Sequence, residues 1–259
     1  MFRKVFSRLA LPLWVSGVYF FLYIPLFVLV VFSFNSVAFP YRWVGFSLKW
    51  YHELFASSAI WEAARNSLFI GVSAVVLSLI IGLLFVMWNA QRQSEYFLIF
   101  FYPNLVIPEI VLAVGLLSFF IFFHVPLGLS TLIVAHTLLG LGYVIPILHT
   151  SVIAINDHLV EASFDLGATA SQTFFKVILP ILMPSLVAAG LLVFILSLDD
   201  FLIAFFCAGT AAQTLSLYIY AMIRTGVSPE VNALATLMLV VSSLLVMLFC
   251  SLRVRTRVW

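Results

Sequence analysis

Long runs of apolar residues dominate the chain, and short polar stretches interrupt them. Six runs are long enough to cross about 30 Å of hydrocarbon as helices of roughly 20 residues: 11–34, 66–88, 97–123, 129–153, 181–206 and 231–252. The stretches between them read "NSVAFPYRWVGFSLKWYHELF", "NAQRQSEY", "HVPLGLS", "AINDHLVEASFDLGATASQTFFK" and "GTAAQTLSLYIYAMIRTGVSPEVN". The pattern predicts an all-α polytopic membrane protein with six transmembrane helices, forming one membrane domain over 1–259.

Composition agrees with that reading. The chain is 64% hydrophobic and 8% charged, against about 25% charged in a soluble domain. Its surface faces lipid rather than water. A net charge of +2 gives no reason to expect a nucleic-acid partner. The basic start, "MFRKVFSRLALPLW", has the look of a signal peptide, and Ser36-Val37-Ala38 offers a small-x-small cleavage pattern. The apolar run from Leu9 to Phe34 outlasts a signal core of about 7–15 residues, so the expectation is an uncleaved first span.

Positive charge orients the spans. With the N-terminus cytoplasmic, Arg3, Lys4, Arg8, Arg92, Lys176, Arg253, Arg255 and Arg257 lie inside, and Arg42, Lys49, Arg65 and Arg224 outside. Both termini are therefore expected in the cytoplasm, with a cytoplasmic loop at 154–180. Cys207 and Cys250 then fall on opposite sides, which disfavours an intrachain disulfide, and two separated cysteines make no metal motif. Pro103 and Pro108 in the third run, Pro146 in the fourth, and Pro180 and Pro184 at the start of the fifth predict kinks. Such kinks suit helices splayed around a pathway, and equally ordinary membrane helices whose neighbours satisfy the freed groups.

The 154–180 loop is polar for such a chain. Val160, Phe164 and Gly167 share one helical face over 158–167, and Gly167 suits a helix C-terminus. Thr169 and Gln172 form a capping box, which predicts a second short helix through "FFKVI" that stops near Pro180. Phe174 and Phe175 suit a partner's groove; the alternative is a plain surface hairpin.

Three acids fall inside the runs: Glu109, Asp199 and Asp200. No Lys or Arg does. An acid at a helix centre costs about 2.5–3.5 kcal/mol, so these groups are expected to face water, a substrate or a neighbouring helix. Successive helical residues point about 100° apart, so Asp199 and Asp200 cannot both face a pathway squarely; Asp199 and Glu109 are taken as the substrate-facing acids. For Asp200 the alternative is protonation or a hydrogen bond to a neighbouring helix. Unpaired acids attract cations, and the aromatic faces of Trp88, Tyr102 and Tyr143 add to that attraction unless they only pack or sit in an interfacial belt. His136 reads as a packed or hydrogen-bonded histidine or, alternatively, a proton relay. No nucleophile–base pair, no zinc motif and no phosphate-binding loop is present. Enzyme activity, cofactor and metal are therefore not expected, and ATP hydrolysis would belong to another chain.

Glu161-Ala162-Ser163, then Gly167, then Leu179-Pro180 resembles the cytoplasmic EAA loop of bacterial ABC importer permeases. Ser163 stands where that pattern has a second alanine, and Val177 where it has isoleucine. The resemblance implies the type I importer permease fold. It also implies that Glu161, Ala162, Ser163, Gly167, Phe174, Leu179 and Pro180 couple the chain to an ATPase. "SFNS" at 33–36, "WYHELF" at 50–55, "NSL" at 66–68, "LDDF" at 198–201 and "GVSPEVNALAT" at 226–236 resemble the permease subunit of spermidine/putrescine importers over nearly the whole chain. That implies a bacterial inner-membrane location and a polyamine cargo passing Glu109, Asp199 and Asp200. The implied partners are a second homologous permease, two ATP-binding subunits and a periplasmic or lipid-anchored polyamine-binding protein. Permeases for iron, thiamine or other cationic solutes share the loop. A stand-alone secondary transporter would leave the loop unexplained, and no inverted repeat is visible.

Overall fold

The computed structural model describes residues 2–37, 42–92, 101, 107–210, 212–226 and 229–256, with side chains left out at 2–11, 90–92, 225 and 248–256. Eleven α-helices are described: α1 Phe2–Phe32, α2 Lys49–Ala56, α3 Ser58–Arg92, α4 Glu109–Phe122, α5 Leu129–Ile153, α6 Asp157–Asp165, α7 Ala170–Thr173, α8 Leu179–Asp199, α9 Leu202–Cys207, α10 Leu215–Thr225 and α11 Pro229–Thr256. Among the described residues there is no strand, and Asn35 and Phe46 form an isolated bridge. Among the described residues, five helices are long and apolar enough to cross a membrane: Pro12–Phe32, Ser58–Asn89, Leu129–Ile153, Ala170–Asp199 and Pro229–Met247.

Three expectations need correction. The third run, expected as a span over 97–123, is described as helix only from Glu109 to Phe122, about 21 Å long at 1.5 Å per residue. Pro108 is its N-cap rather than a kink inside it. Pro103, Tyr102 and most of the preceding residues lie outside the described residues. The fifth run, expected to continue to 206, breaks after Asp199, because Asp200 turns extended (φ −63°, ψ 126°) and the separate helix α9 follows. Finally, the helix of the polar loop does not stop at Pro180. Residues Phe174–Ile178 form a π-helical turn that runs straight into α8. Proline lacks an N–H and crowds the carbonyl four residues back; the wide turn, with Leu179 N–H bonding the Phe174 carbonyl, carries the helix past it.

Contacts divide the chain into two compact units, one running to Ile60 with Ile219–Ser243, the other Trp61–Tyr218 with the chain from Leu244 onward. In the first unit, α1 is apolar on every side over Pro12–Phe32, and none of that stretch is buried against the rest of the protein. The chain then turns around Asn35, which is fully buried. Its amide donates to the Arg42 carbonyl at 2.9 Å and accepts from Val44 N–H at 3.1 Å, and the Trp50 indole donates to its backbone carbonyl at 2.7 Å. Phe34 stacks on Phe46 and Tyr51. These bonds satisfy a buried polar turn and seat α2 at the end of α1.

In the second unit, two apolar clusters hold α3, α4, α5, α8 and α9 together. One gathers Ile70, Ala113, Phe120, Leu132 and Ile203; the other Val86, Val144, Leu148, Leu182 and Val193. Small residues let the helices approach, as lipid-embedded packing requires. A Cβ on Gly82 would meet Val144 Cγ1 at 2.6 Å, and one on Gly140 would meet Val193 Cγ1 at 2.9 Å. Cys207 is buried and free, while the side chain of Cys250 lies outside the described residues.

Candidate functional site

The helix break at Asp200 builds a cavity. Two helix starts meet there: Glu109 is the first residue of α4, and Asp200 precedes α9. The unpaired N–H groups and the dipole of a helix N-terminus favour nearby carboxylates, so the acids are placed where the backbone tolerates them. The cavity measures about 300 Å³, and its lining includes Glu109, Tyr143, Leu196, Asp199, Asp200 and Phe201, with no Lys or Arg. That volume is at the lower end for small-molecule sites. The helical 100° rule does not separate Asp199 from Asp200, because the helix ends between them.

The three acids differ in environment. Glu109 and Asp199 are exposed and Asp200 is buried. Asp200 Oδ1 accepts from Ile203 N–H at 3.2 Å and Oδ2 from Ala204 N–H at 2.9 Å. Glu109 and Asp200 line the same cavity. On the other side, His136 Nε2 lies 3.5 Å from Asp200 Oδ2, with both side chains 1% exposed. The contact is close but not aligned as a hydrogen bond, and neither ring nitrogen of His136 has a hydrogen-bond partner. Of the aromatic candidates, Tyr143 lines the cavity and Trp88 does not; Tyr102 lies outside the described residues.

The second region is the polar segment 154–180. Asn156 caps α6 by accepting from His158 N–H at 3.0 Å. Gly167, at φ +83°, ends α6 in a Schellman turn, with Gly167 N–H bonding the Phe164 carbonyl at 2.8 Å and Ala168 N–H the Ser163 carbonyl at 3.0 Å. The Thr169–Gln172 capping box is formed in both directions, at 3.3 and 2.9 Å. Ser163, buried, shares a hydrogen bond with the Thr173 hydroxyl at 2.8 Å and so ties α6 to α7. Glu161 and Ala162 are exposed on α6, Leu179 is half-buried, and Pro180 is exposed. Phe174 is half-buried against Phe175, which is exposed. Leu166, beside the turn, is 90% exposed. The sequence reading passes over it, although an apolar residue at a helix C-terminus before a left-handed glycine has no interior to enter.

Residues 74–255 match the profile of the family described as "Binding-protein-dependent transport system inner membrane component". The chain belongs to that family. This permease is also 35% identical over 234 residues to the spermidine/putrescine transport system permease protein PotC of Escherichia coli strain K12, covering 89% of each chain. It is 35% identical over 229 residues to the putrescine transport system permease protein PotI of the same strain, covering 85% of this chain and 82% of that one. Its fold resembles that of a chain in a bacterial ABC transporter involved in the import of the acidic polysaccharide alginate, with a TM-score of 0.72, 16% identity and coverage of 97% and 96%. The permease is thus a multi-pass inner-membrane protein, homologous to polyamine permeases and built like the transmembrane subunits of ABC importers.

Proposed function

We propose that this permease is the transmembrane subunit of an ATP-driven importer for polyamines, with spermidine or putrescine as cargo. The observation that carries the reading is the cavity lined by Glu109, Asp199 and Asp200 without a basic residue. Polyamines are extended cations. Two exposed carboxyls, Glu109 and Asp199, would meet ammonium groups, and Tyr143 offers an aromatic face. The names of the relatives PotC and PotI support the same cargo.

In this reading α4 and the residues before it complete a sixth span, and both termini lie in the cytoplasm. The segment 154–180 is the cytoplasmic coupling element. Glu161, Ala162, Ser163, Gly167, Phe174, Leu179 and Pro180 shape a helical turn that docks on an ATP-binding subunit, with Leu166 as its most exposed apolar contact. ATP is hydrolysed on that separate subunit. The assembly contains a second, homologous permease, two ATP-binding subunits and a periplasmic or lipid-anchored binding protein. Nucleotide-driven motion of the docked turn passes through the continuous helix from α7 into α8, whose end carries Asp199.

The test is uptake of labelled spermidine by cells lacking their own polyamine importers, with the chain co-expressed with its neighbouring transporter genes. Wild type is expected to accumulate spermidine, Asp199→Asn and Glu109→Gln to accumulate much less at low spermidine, and Gly167→Asp to stop uptake while still reaching the membrane. An assembled wild-type complex that moves no polyamine would overturn the cargo; accumulation of another cationic solute would then name it.

A further inference from the structure

Resting on the cation-cavity reading, we propose that Asp200 and His136 are positioning residues: Asp200, backed by His136, fixes helix α9 and, through its packing, the start of α4 at Glu109, and leaves cargo contact to Asp199 and Glu109. The separation is drawn by exposure and by hydrogen bonds. Asp199 and Glu109 are exposed, whereas the Asp200 side chain is 1% exposed and both its oxygens already accept backbone N–H groups of α9. A carboxylate buried this far and bonded to the backbone of α9 is poorly placed to meet an incoming ammonium.

The bonds around Asp200 show what it holds. Its backbone carbonyl accepts from the Ser216 hydroxyl at 2.6 Å, which ties the start of α10 to the helix break. The far end of α9 is held by the Thr131 hydroxyl of α5, 2.8 Å from the Cys207 carbonyl. The six residues of α9 are too few to be stable as a free helix, so these ties at both ends define its position. Because α9 packs on α4 through Ile203, Ala204 and Cys207 against Ala113 and Leu116, its position also sets where Glu109 stands. His136 is a buried polar group beside Asp200: among the described residues neither ring nitrogen has a hydrogen-bond partner, and Nε2 lies 3.5 Å from Asp200 Oδ2. A buried polar group without a partner is costly, and Asp200 is the group His136 has to face.

An asparagine at 200 keeps an acceptor oxygen for the helix start, where Asn and Asp are equally good caps; an alanine does not. The experiment is labelled spermidine uptake by vesicles reconstituted with the complete importer, measured as half-saturating concentration and maximal rate. Asp199→Asn and Glu109→Gln are expected to raise the half-saturating concentration about tenfold. Asp200→Ala is expected to lower the maximal rate about tenfold, with Asp200→Asn restoring it and holding half-saturation within about threefold of wild type. His136→Leu is expected to lower the maximal rate, and His136→Gln to restore part of it. A half-saturating concentration raised as far by Asp200→Asn as by Asp199→Asn would make Asp200 a cargo ligand and overturn the proposal. So would wild-type transport by Asp200→Ala. Should Asp200→Ala fail to assemble, the comparison of Asp200→Asn with Asp199→Asn decides alone. Unchanged half-saturation in Asp199→Asn and Glu109→Gln, with the Ala/Asn difference at 200 intact, would sink the cargo reading and keep the positioning role.

Discussion

Ser163 and Thr173, ten positions apart in the sequence, join their hydroxyls at 2.8 Å inside a turn that is otherwise mostly exposed. Ser163 also donates to the Val160 carbonyl at 2.8 Å. The bond to Thr173 ties α6 to α7 at the base of the turn. Ser163→Ala removes one partner and leaves the buried Thr173 hydroxyl to its own helix, at a cost of about 1–3 kcal/mol for an unsatisfied group. The expected result is a lower melting temperature of the purified complex and weaker coupling of ATP hydrolysis to uptake. Ser163→Ala with Thr173→Val removes both partners and is expected to recover part of the melting temperature. A double variant no more stable than Ser163→Ala alone would show that the hydroxyl pair is not what holds the turn.

Gly167 carries the turn itself. Its φ of +83° lies in the left-handed region, where a Cβ costs about 1–2 kcal/mol. Nothing stands within 4 Å of where that Cβ would be, so the penalty is conformational and not steric. Gly167→Ala is expected to lose part of the uptake rate, and Gly167→Asn less, because asparagine tolerates this conformation better than alanine. Uptake rates per assembled complex would rank glycine above asparagine above alanine. Equal rates for all three would mean that the turn relaxes without consequence.

Much of this architecture is written in the order of apolar and polar residues. Long apolar runs mark the helices, and Asn156, Gly167, Thr169 and Gln172 mark the ends of the short ones by their own chemistry. Two features escape that reading for physical reasons. Pro180 signals a stop, yet the π turn before it lets the helix continue, and nothing in "FFKVI" announces a wider turn. Asp199 and Asp200 lie in one apolar run and read as neighbours on a single helix. The sign of a break is Asp200 ahead of "FLIAFFC", a capping residue before a short apolar segment. The acids themselves are plain in the sequence; that two are exposed and one is folded into a helix start follows only from the break.

Glu109 and Asp199 belong to different helices and share one cavity. Under the polyamine reading each meets a different ammonium group of the same cargo. Neutralising either one then removes one attraction, and neutralising both should cost less than the two single effects together if the cargo has already lost its bridging position. Half-saturating concentrations for Asp199→Asn, Glu109→Gln and the double variant form a cycle that measures this coupling. The expected interaction energy is about 0.5–3 kcal/mol. Strict additivity would place the two carboxyls on separate binding events.

Gly82 meets Val144 where α3 crosses α5. A Cβ at 82 would stand 2.6 Å from Val144 Cγ1, and Val144 is fully buried, so the valine has no free space into which to turn. Gly82→Ala is expected to destabilise the packing by about 1–3 kcal/mol, the usual range for inserting a methyl group into a filled interior. Val144→Ala alone leaves a void and is also expected to destabilise. Combined, the new methyl group occupies the space the valine gave up, so the double variant should melt above Gly82→Ala. The measurement is the thermal unfolding of the detergent-purified complex for the four proteins. A double variant that melts no higher than Gly82→Ala would remove Val144 as the residue that fixes how closely these two helices approach.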